Sequence, residues 1–187
     1  MSDRVSRTTV LCEDEAQERL VREYLKTCKL SCDPPQVIWR VASKLQYGGN
    51  DHWVLKEFSD ELHACRQRSA KAKTLLIVVI DADAKFSVEQ RRDQLCERVQ
   101  QTGYSDFGGD DPAVLLIPKR HIETWIAVLL GKTVTEDEDC KDWEPPSKKQ
   151  FRGAAEALYQ WARPNATFGT NCVPSLKNSL PEWRKIH

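Results

Sequence analysis

Apolar residues recur along the chain with two different periods. Four short apolar runs indicate β-strands: residues 8–12, 37–42, 74–80 and 113–117. Between and after these runs, apolar residues spaced three or four positions apart indicate helices: residues 15–26, 53–65, 87–101 and 122–130. Strands that alternate with helices pair in parallel through right-handed crossovers. The pattern therefore predicts an α/β fold, a three-layer sandwich with a mostly parallel central sheet.

The third apolar run has the strongest pattern. Residues 74–80 (TLLIVVI) are almost continuously apolar, as expected for a strand buried on both faces in the middle of a sheet. After it, Ser87 precedes Gln90 by three positions, which predicts a capping box at the start of a charged helix. Gly103 is expected to end that helix.

The composition of the sequence changes after Gly131, where an acidic run and a pair of prolines follow. We divide the chain into an α/β domain at 1–131, an acidic, exposed loop at 132–147 and a C-terminal helical extension at 148–187 that packs on the core. The extension is expected to hold one helix at 148–162, followed by a coil-rich tail with three prolines. Trp143 in the loop and Trp183 in the tail are candidates for contacts with a protein partner.

The composition narrows the classes of function. Lys and Arg number 28 and so do Asp and Glu, so the chain does not hold nucleic acid by bulk charge alone. The longest apolar run, 75–80, is far too short to cross a membrane, and the N-terminus is polar. We expect no membrane association and a cytoplasmic location with seven reduced cysteines. Cys28 and Cys32 lack a second Cys/His pair at zinc-finger spacing.

Carboxylates follow the predicted strands. Glu13 follows the first strand, Asp81 and Asp83 follow the third, and Glu123 lies in the first turn of the helix after the fourth. Because the carboxyl ends of parallel strands share one edge of a sheet, these side chains are expected to meet if the first and third strands are neighbours. An all-oxygen ligand set suits Mg²⁺ or Mn²⁺, which can polarise phosphoryl oxygens and activate water.

Basic and glycine-containing segments are placed near the same edge. Lys119 is a candidate for stabilising developing charge, and Lys85 and Arg120 are candidates for contacts with substrate phosphate. Gly49 and Asn50 precede a helix within the loop 48–51, and they could present backbone N–H groups to an anion.

Three segments together resemble the TOPRIM domain of topoisomerases, primases, small ribonucleases and nucleases of the OLD (overcoming lysogenization defect) type. They are 10–13 (VLCE), 77–83 (IVVIDAD) and 116–125 (LIPKRHIETW). The third is similar to a stretch of small stand-alone TOPRIM-like proteins of bacterial defence loci, and the resemblance covers roughly residues 8–130.

The resemblance implies a TOPRIM/Rossmann-like fold and metal-dependent phosphodiester cleavage of DNA or RNA. Glu13 would act as a general acid/base or metal ligand, and Asp81 and Asp83 would bind Mg²⁺. The analogy also implies an ATPase partner of the ABC/SMC kind in an antiphage complex, and it leaves a homo-oligomer open. Two positions depart from the family pattern, because Asp14 follows Glu13 where glycine is common and no glycine follows Asp83 closely.

Three other functions fit parts of this pattern. A haloacid-dehalogenase-like phosphatase also uses an Asp-x-Asp motif, but on the first strand of its core. A receiver-like signalling module would use Glu13 and Asp14 with Asp81 as the phosphorylated residue, but Pro118 stands where it needs Ser or Thr. A catalytically inactive TOPRIM-like subunit that only binds a partner is the third alternative. His121, two residues before Glu123, could also reach the site.

Overall fold

A four-stranded, all-parallel sheet forms the centre of this computed structural model, which describes residues 6–45, 49–140 and 143–186. The strands lie in the order β2-β1-β3-β4. Their bounds are β1 Arg7–Cys12, β2 Val37–Val41, β3 Thr74–Val79 and β4 Ala113–Leu116. Each lies where an apolar run predicted a strand. The two runs with the most aliphatic residues form β3, inside the sheet, and its neighbour β4, at the edge.

The helices cover both faces of this sheet. Their bounds are α1 Glu15–Thr27, α2 Asn50–Ser69, α3 Val88–Gln101, α4 Ile122–Leu129, α5 Lys148–Ala162 and α6 Pro174–Arg184, with a short 3₁₀ helix at Ala42–Leu45. The predicted capping box of α3 is present, since the Ser87 side chain accepts from the Gln90 N–H and the Gln90 side chain accepts from the Ser87 N–H. Gly103 follows α3 with a positive φ of 73°, as its predicted role as a helix stop requires.

Side chains of the strands alternate between two apolar cores. One core contains residues of α1, α4, α5 and α6, together with these strand residues: Val10, Cys12, Ile77, Val79, Val114 and Leu116. The other contains residues of α2 and α3, together with Leu11, Leu76, Val78, Ile80, Leu115 and Ile117. Because successive side chains of a strand point to opposite faces, this alternation confirms the predicted three-layer sandwich.

The tail after α5 differs from its prediction. The sequence suggested coil because of its prolines, but residues 174–184 form α6. Pro174 occupies the first turn, where a missing N–H costs nothing, and Pro181 is tolerated because the helix buries Leu180 and Trp183. Trp183 is completely buried against the ring of Tyr24, so its predicted contact with a partner is wrong.

The described residues of the acidic loop, 132–140 and 143–147, contain no helix or strand, as predicted, but they are not all exposed. Cys140 is completely buried, and a carboxyl oxygen of Glu136 accepts a hydrogen bond of 2.6 Å from the N–H of Ser175 in α6. The loop is therefore held against the body of the protein.

The helices of the described residues are all too short or too polar to cross a membrane.

The burial of Trp183 predicts that α6 is part of the folding unit. Trp183→Ala should lower the free energy of unfolding by about 3–5 kcal/mol, since it removes a large side chain from a closed core. Trp143→Ala is the matched control, because this residue is 37% exposed and its ring lies 4.8 Å from the Lys132 ammonium, and it should change stability by less than about 1 kcal/mol. Urea unfolding followed by fluorescence measures both, and equal effects would contradict the assignment of α6 to the core.

Candidate functional site

Glu13 and Asp81 are in contact at the carboxyl edge of the sheet. β1 and β3 are parallel neighbours with Cys12 opposite Val79, so the residues that follow these strands leave the sheet side by side. An Oε atom of Glu13 accepts a hydrogen bond of 2.6 Å from the backbone N–H of Asp81. The contact of the Glu13 carboxyl with Asp81 is thus a direct consequence of strand order.

Gln17 holds this pair in place, and the sequence reasoning missed it. The Asp14 side chain caps α1 by accepting from the Gln17 N–H, which fixes the first turn of the helix. From there the completely buried Gln17 amide accepts from the Glu13 N–H at 2.8 Å and donates to Asp81 Oδ1 at 3.0 Å. The signal in the sequence was the Asp-x-x-Gln spacing of a helix N-terminus directly after a strand.

Asp83 lies at the same edge but is turned toward a cation. Backbone pairing with the segment after β4 continues through Ala82, whose N–H donates to the carbonyl of Pro118 at 2.8 Å. Asp83 then adopts a left-handed conformation with φ of 64°, so it does not continue the extended backbone that would place it beside Asp81. Its carboxylate is 44% exposed and lies 3.6 Å from the guanidinium of Arg91.

Arg91 is a buried cation that the sequence reasoning also missed. Its side chain is 1% exposed, and the same Nη2 that faces Asp83 donates to Asp51 Oδ2 at 3.3 Å. Nη1 donates to Gln94, and the ring of Phe86 lies 5.0 Å from the guanidinium carbon. The available signal was its position on the apolar face of α3, three residues after Val88 and four before Leu95.

The start of α4 approaches Asp81 from the other side. His121 precedes the helix and is buried, with Nδ1 3.8 Å from Asp81 Oδ2 and Nε2 3.3 Å from Asp139 Oδ1. Glu123 lies in the first turn of α4 and acts on Asp81 through its charge. The structure therefore brings Glu123 and His121 to the predicted site, and it adds Asp139 of the acidic loop to their surroundings.

The predicted basic residues lie around the site rather than within it. The Lys119 ammonium donates to the backbone carbonyl of Phe86 at 3.1 Å, so it supports the turn after Asp83. The Arg120 guanidinium bonds to the acidic loop. Lys85 is exposed in the turn that follows Asp83.

The glycine-containing loop leads into α2 at the same edge. Gly49 is the N-cap of α2 and has a left-handed φ of 81°, which favours glycine, and Asn50 is the first helical residue. Gly48 lies outside the described residues. The following residue, Asp51, bonds to Arg91 and raises the pKa of Glu13 through its charge, so this helix start faces the carboxylates.

Burial and mutual repulsion change the acidity of the central pair. Burial, with the charge of Asp81 added to it, raises the pKa of Glu13 from 4.5 to about 9, although the N–H of Asp81 opposes this shift. Burial likewise raises the pKa of Asp81 well above its usual range, and the charges of Asp14 and Glu123 add to the effect. At neutral pH Glu13 therefore holds a proton that an exposed carboxylate would have lost.

The donor set fits a hard divalent cation in its chemistry, because all its members are carboxylates and a bound ion relieves their repulsion. Glu13, Asp81, Asp83 and Glu123 are the residues that could hold it. Within 6–45, 49–140 and 143–186, however, no three acidic, His or Cys side chains converge closely enough to hold an ion together. The contact of Asp83 with Arg91 is the geometric reason that it stands apart from Glu13 and Asp81.

Comparisons with known proteins do not place the chain in a family. No family model, curated protein or solved structure matches it. The site is therefore interpreted from its own geometry and from the three motifs.

The raised pKa of Glu13 predicts how stability depends on pH in the metal-free protein. Between about 5 and 9 the folded chain holds a proton on Glu13 that the unfolded chain releases, so stability should fall as pH rises. Glu13→Gln keeps an oxygen that accepts from Asp81 but cannot ionise. The variant should therefore lack about one proton of the difference in bound protons between the folded and unfolded chains. Its melting temperature should fall less than that of the wild type across this range.

The matched control for this measurement is Glu15→Gln, two positions away. Glu15 is exposed and pairs with Arg19 at the surface, so its removal should leave the slope with pH as in the wild type. Calorimetric melting in EDTA at several pH values makes the comparison. A Glu13→Gln variant with an unchanged slope would show that Glu13 ionises normally in the folded protein.

Proposed function

We propose that this chain is a Mg²⁺- or Mn²⁺-dependent nuclease of the TOPRIM type that cleaves phosphodiester bonds of DNA or RNA. The observation that carries the proposal is the contact between Glu13 and Asp81 at the carboxyl edge of neighbouring parallel strands. It supports the motif resemblance because residues 68 positions apart meet in the order that the family pattern requires. The raised pKa values of both carboxyls add a reason for a cation to bind there.

The residues have distinct tasks in this proposal. When bound, the divalent ion would polarise the phosphoryl group and favour attack by water. Asp81, Asp83 and Glu123 would supply its protein oxygens. Glu13, which holds a proton at neutral pH in the metal-free protein, would deliver that proton to the leaving oxygen as a general acid. Gln17 orients the Asp81 carboxyl through its amide N–H.

The basic residues would act on the substrate from the rim. Lys119 steadies the turn that carries Asp83, and Lys85 in that turn is exposed and able to contact phosphate. Arg91 places a buried positive charge beside Asp83 and Asp51, which limits the repulsion that an incoming phosphate would meet. The start of α2 at Gly49 and Asn50 adds backbone N–H groups at the same edge.

The partner also belongs to the proposal. A formal net charge of zero gives the chain little electrostatic attraction for long nucleic acid, so we expect a second protein to deliver the substrate. An ATPase of the ABC/SMC kind in a cytoplasmic antiphage complex is the partner that the OLD-like motif suggests, and self-association of the chain is compatible with it.

A second candidate function is a TOPRIM-like subunit that binds a partner without catalysis. The specific observation in its favour is the ion pair between Asp83 and Arg91, which uses a predicted metal ligand as the partner of a buried cation. The departures from the family pattern after Glu13 and Asp83 point the same way. In this case the carboxylates would be a remnant that stabilises the edge of the sheet.

Cleavage assays distinguish the two functions. With plasmid DNA or tRNA and Mg²⁺ or Mn²⁺, with and without the ATPase partner, the wild type should cleave. Glu13→Gln and Asp81→Asn should each lose at least about 100-fold in rate, because each removes a group that acts on the reacting phosphate. Asp93→Asn, an exposed position on α3, is the control and should keep full activity. Hydrolysis of a small phosphomonoester alone would instead indicate a phosphatase.

Metal binding can be measured without any substrate. Saturating Mn²⁺ should raise the melting temperature of the wild type, since an ion at 100 times its Kd adds about 2.7 kcal/mol of stability. Asp81→Asn should lose this increase, whereas Asp93→Asn should retain it. An increase that survives in Asp81→Asn would mean that the ion binds elsewhere, and no increase in any variant would favour the non-catalytic subunit.

A further inference from the structure

The acidic loop places the Asp139 carboxylate between Arg120 and His121, which together form a basic cradle beside the candidate site. Arg120 Nη2 donates to one carboxyl oxygen of Asp139 at 2.8 Å, and His121 Nε2 lies 3.3 Å from the other. Arg120 Nη1 donates to the backbone carbonyl of Asp137 at 2.6 Å. An arginine that donates to one oxygen of an anion, with an imidazole nitrogen near the other oxygen, is an arrangement that can also receive a phosphate.

The cradle lies directly beside the candidate site. His121 is 7% exposed, and its second ring nitrogen lies 3.8 Å from Asp81 Oδ2, so a single imidazole separates the bound carboxylate from the central pair. The cradle opens to solvent on its other side, where the side chains of Arg120 and Asp139 are 26% and 48% exposed. An anion arriving from solvent can therefore reach the same donors.

The negative charge of Asp139, which occupies the cradle, is unfavourable beside the other carboxylates. Asp139 ends a run of four consecutive acidic residues, 136–139, and it lies next to a cluster that already has several carboxylates. The run is held by separate contacts, namely the bond from the Ser175 N–H to Glu136 and the burial of Cys140. Those anchors can keep the loop attached when Asp139 leaves the cradle.

We infer that Arg120 and His121 form a phosphate subsite of the proposed nuclease, and that Asp139 is an internal mimic that a nucleic-acid phosphate displaces. The inference rests on the proposed function for the identity of the substrate. It assigns the acidic loop a role as a guard, because a strand enters only when its phosphate competes successfully with the tethered carboxylate. Arg120 and His121 would then both hold the inhibitory carboxylate and recognise the phosphate of the substrate.

Binding of DNA without cleavage tests the subsite. A short fluorescein-labelled single-stranded DNA is titrated with protein in EDTA at fixed ionic strength, and anisotropy reports the Kd. If Asp139 fills the cradle for about nine-tenths of the time, Asp139→Ala should bind the DNA about tenfold more tightly than the wild type. Arg120→Gln in the Asp139→Ala background should abolish that gain.

Asp137→Ala is the matched control, since it removes the same charge from the same run but leaves the backbone carbonyl that Arg120 contacts. Its gain should stay below about twofold, because exposed charges are screened at physiological salt. Should the alanine variants unfold, Asp139→Asn and Asp137→Asn give the same comparison with the shape of each side chain kept.

Equal gains for Asp139→Ala and Asp137→Ala would overturn the subsite, and so would the absence of measurable DNA binding by any variant. A gain that persists without Arg120 would also reject it. Because binding is read in EDTA, the outcome is independent of catalysis. A chain that binds DNA through the cradle but never cleaves it would refute the proposed nuclease and leave the subsite intact.

Discussion

The parallel pairing of β1 with β3 is the constraint on which the candidate site depends. It brings the ends of two strands together across 68 positions of sequence and leaves the carboxyl of Glu13 bonded to the backbone of Asp81. Both strands are buried on both faces, so a change of register would move whole rows of aliphatic side chains between the two cores. The packing of the sheet therefore brings the two residues together, and Gln17 then holds the Asp81 carboxyl in place.

Negative charge at this edge is managed by several different means. The pKa values of Glu13 and Asp81 are raised, Asp83 and Asp51 share the buried Arg91, and Asp139 lies beside Arg120 and His121. Each arrangement lowers the repulsion that clustered acids would otherwise suffer in a poorly solvated place. An incoming ion or phosphate must displace some of these contacts. The groups that stabilise the site at rest are therefore the same ones that would act in the proposed reaction.

The strands and the first helices were predictable because their signals are local. The strand at 74–80 is marked by aliphatic residues alone, and the capping box at Ser87 needs only two residues three positions apart. The prolines of the tail misled the prediction, because Pro174 fits a helix start and Trp183 gains enough burial to hold α6 despite Pro181. Arg91 was missed because a lone arginine in an amphipathic helix normally lies in solvent.

By itself, the sequence determined the order of the strands and of the helices up to residue 162, the parallel sheet, and the presence of carboxylates after the first and third strands, since period and position along the chain carry that information. Only the tertiary structure decided which of these acids meet. Asp83 is drawn toward Arg91 of α3, Gln17 bridges Glu13 to Asp81, and Asp139 arrives from a loop about 60 positions away. Side-chain partners are chosen by packing between elements, and no local pattern in a single sequence encodes that choice.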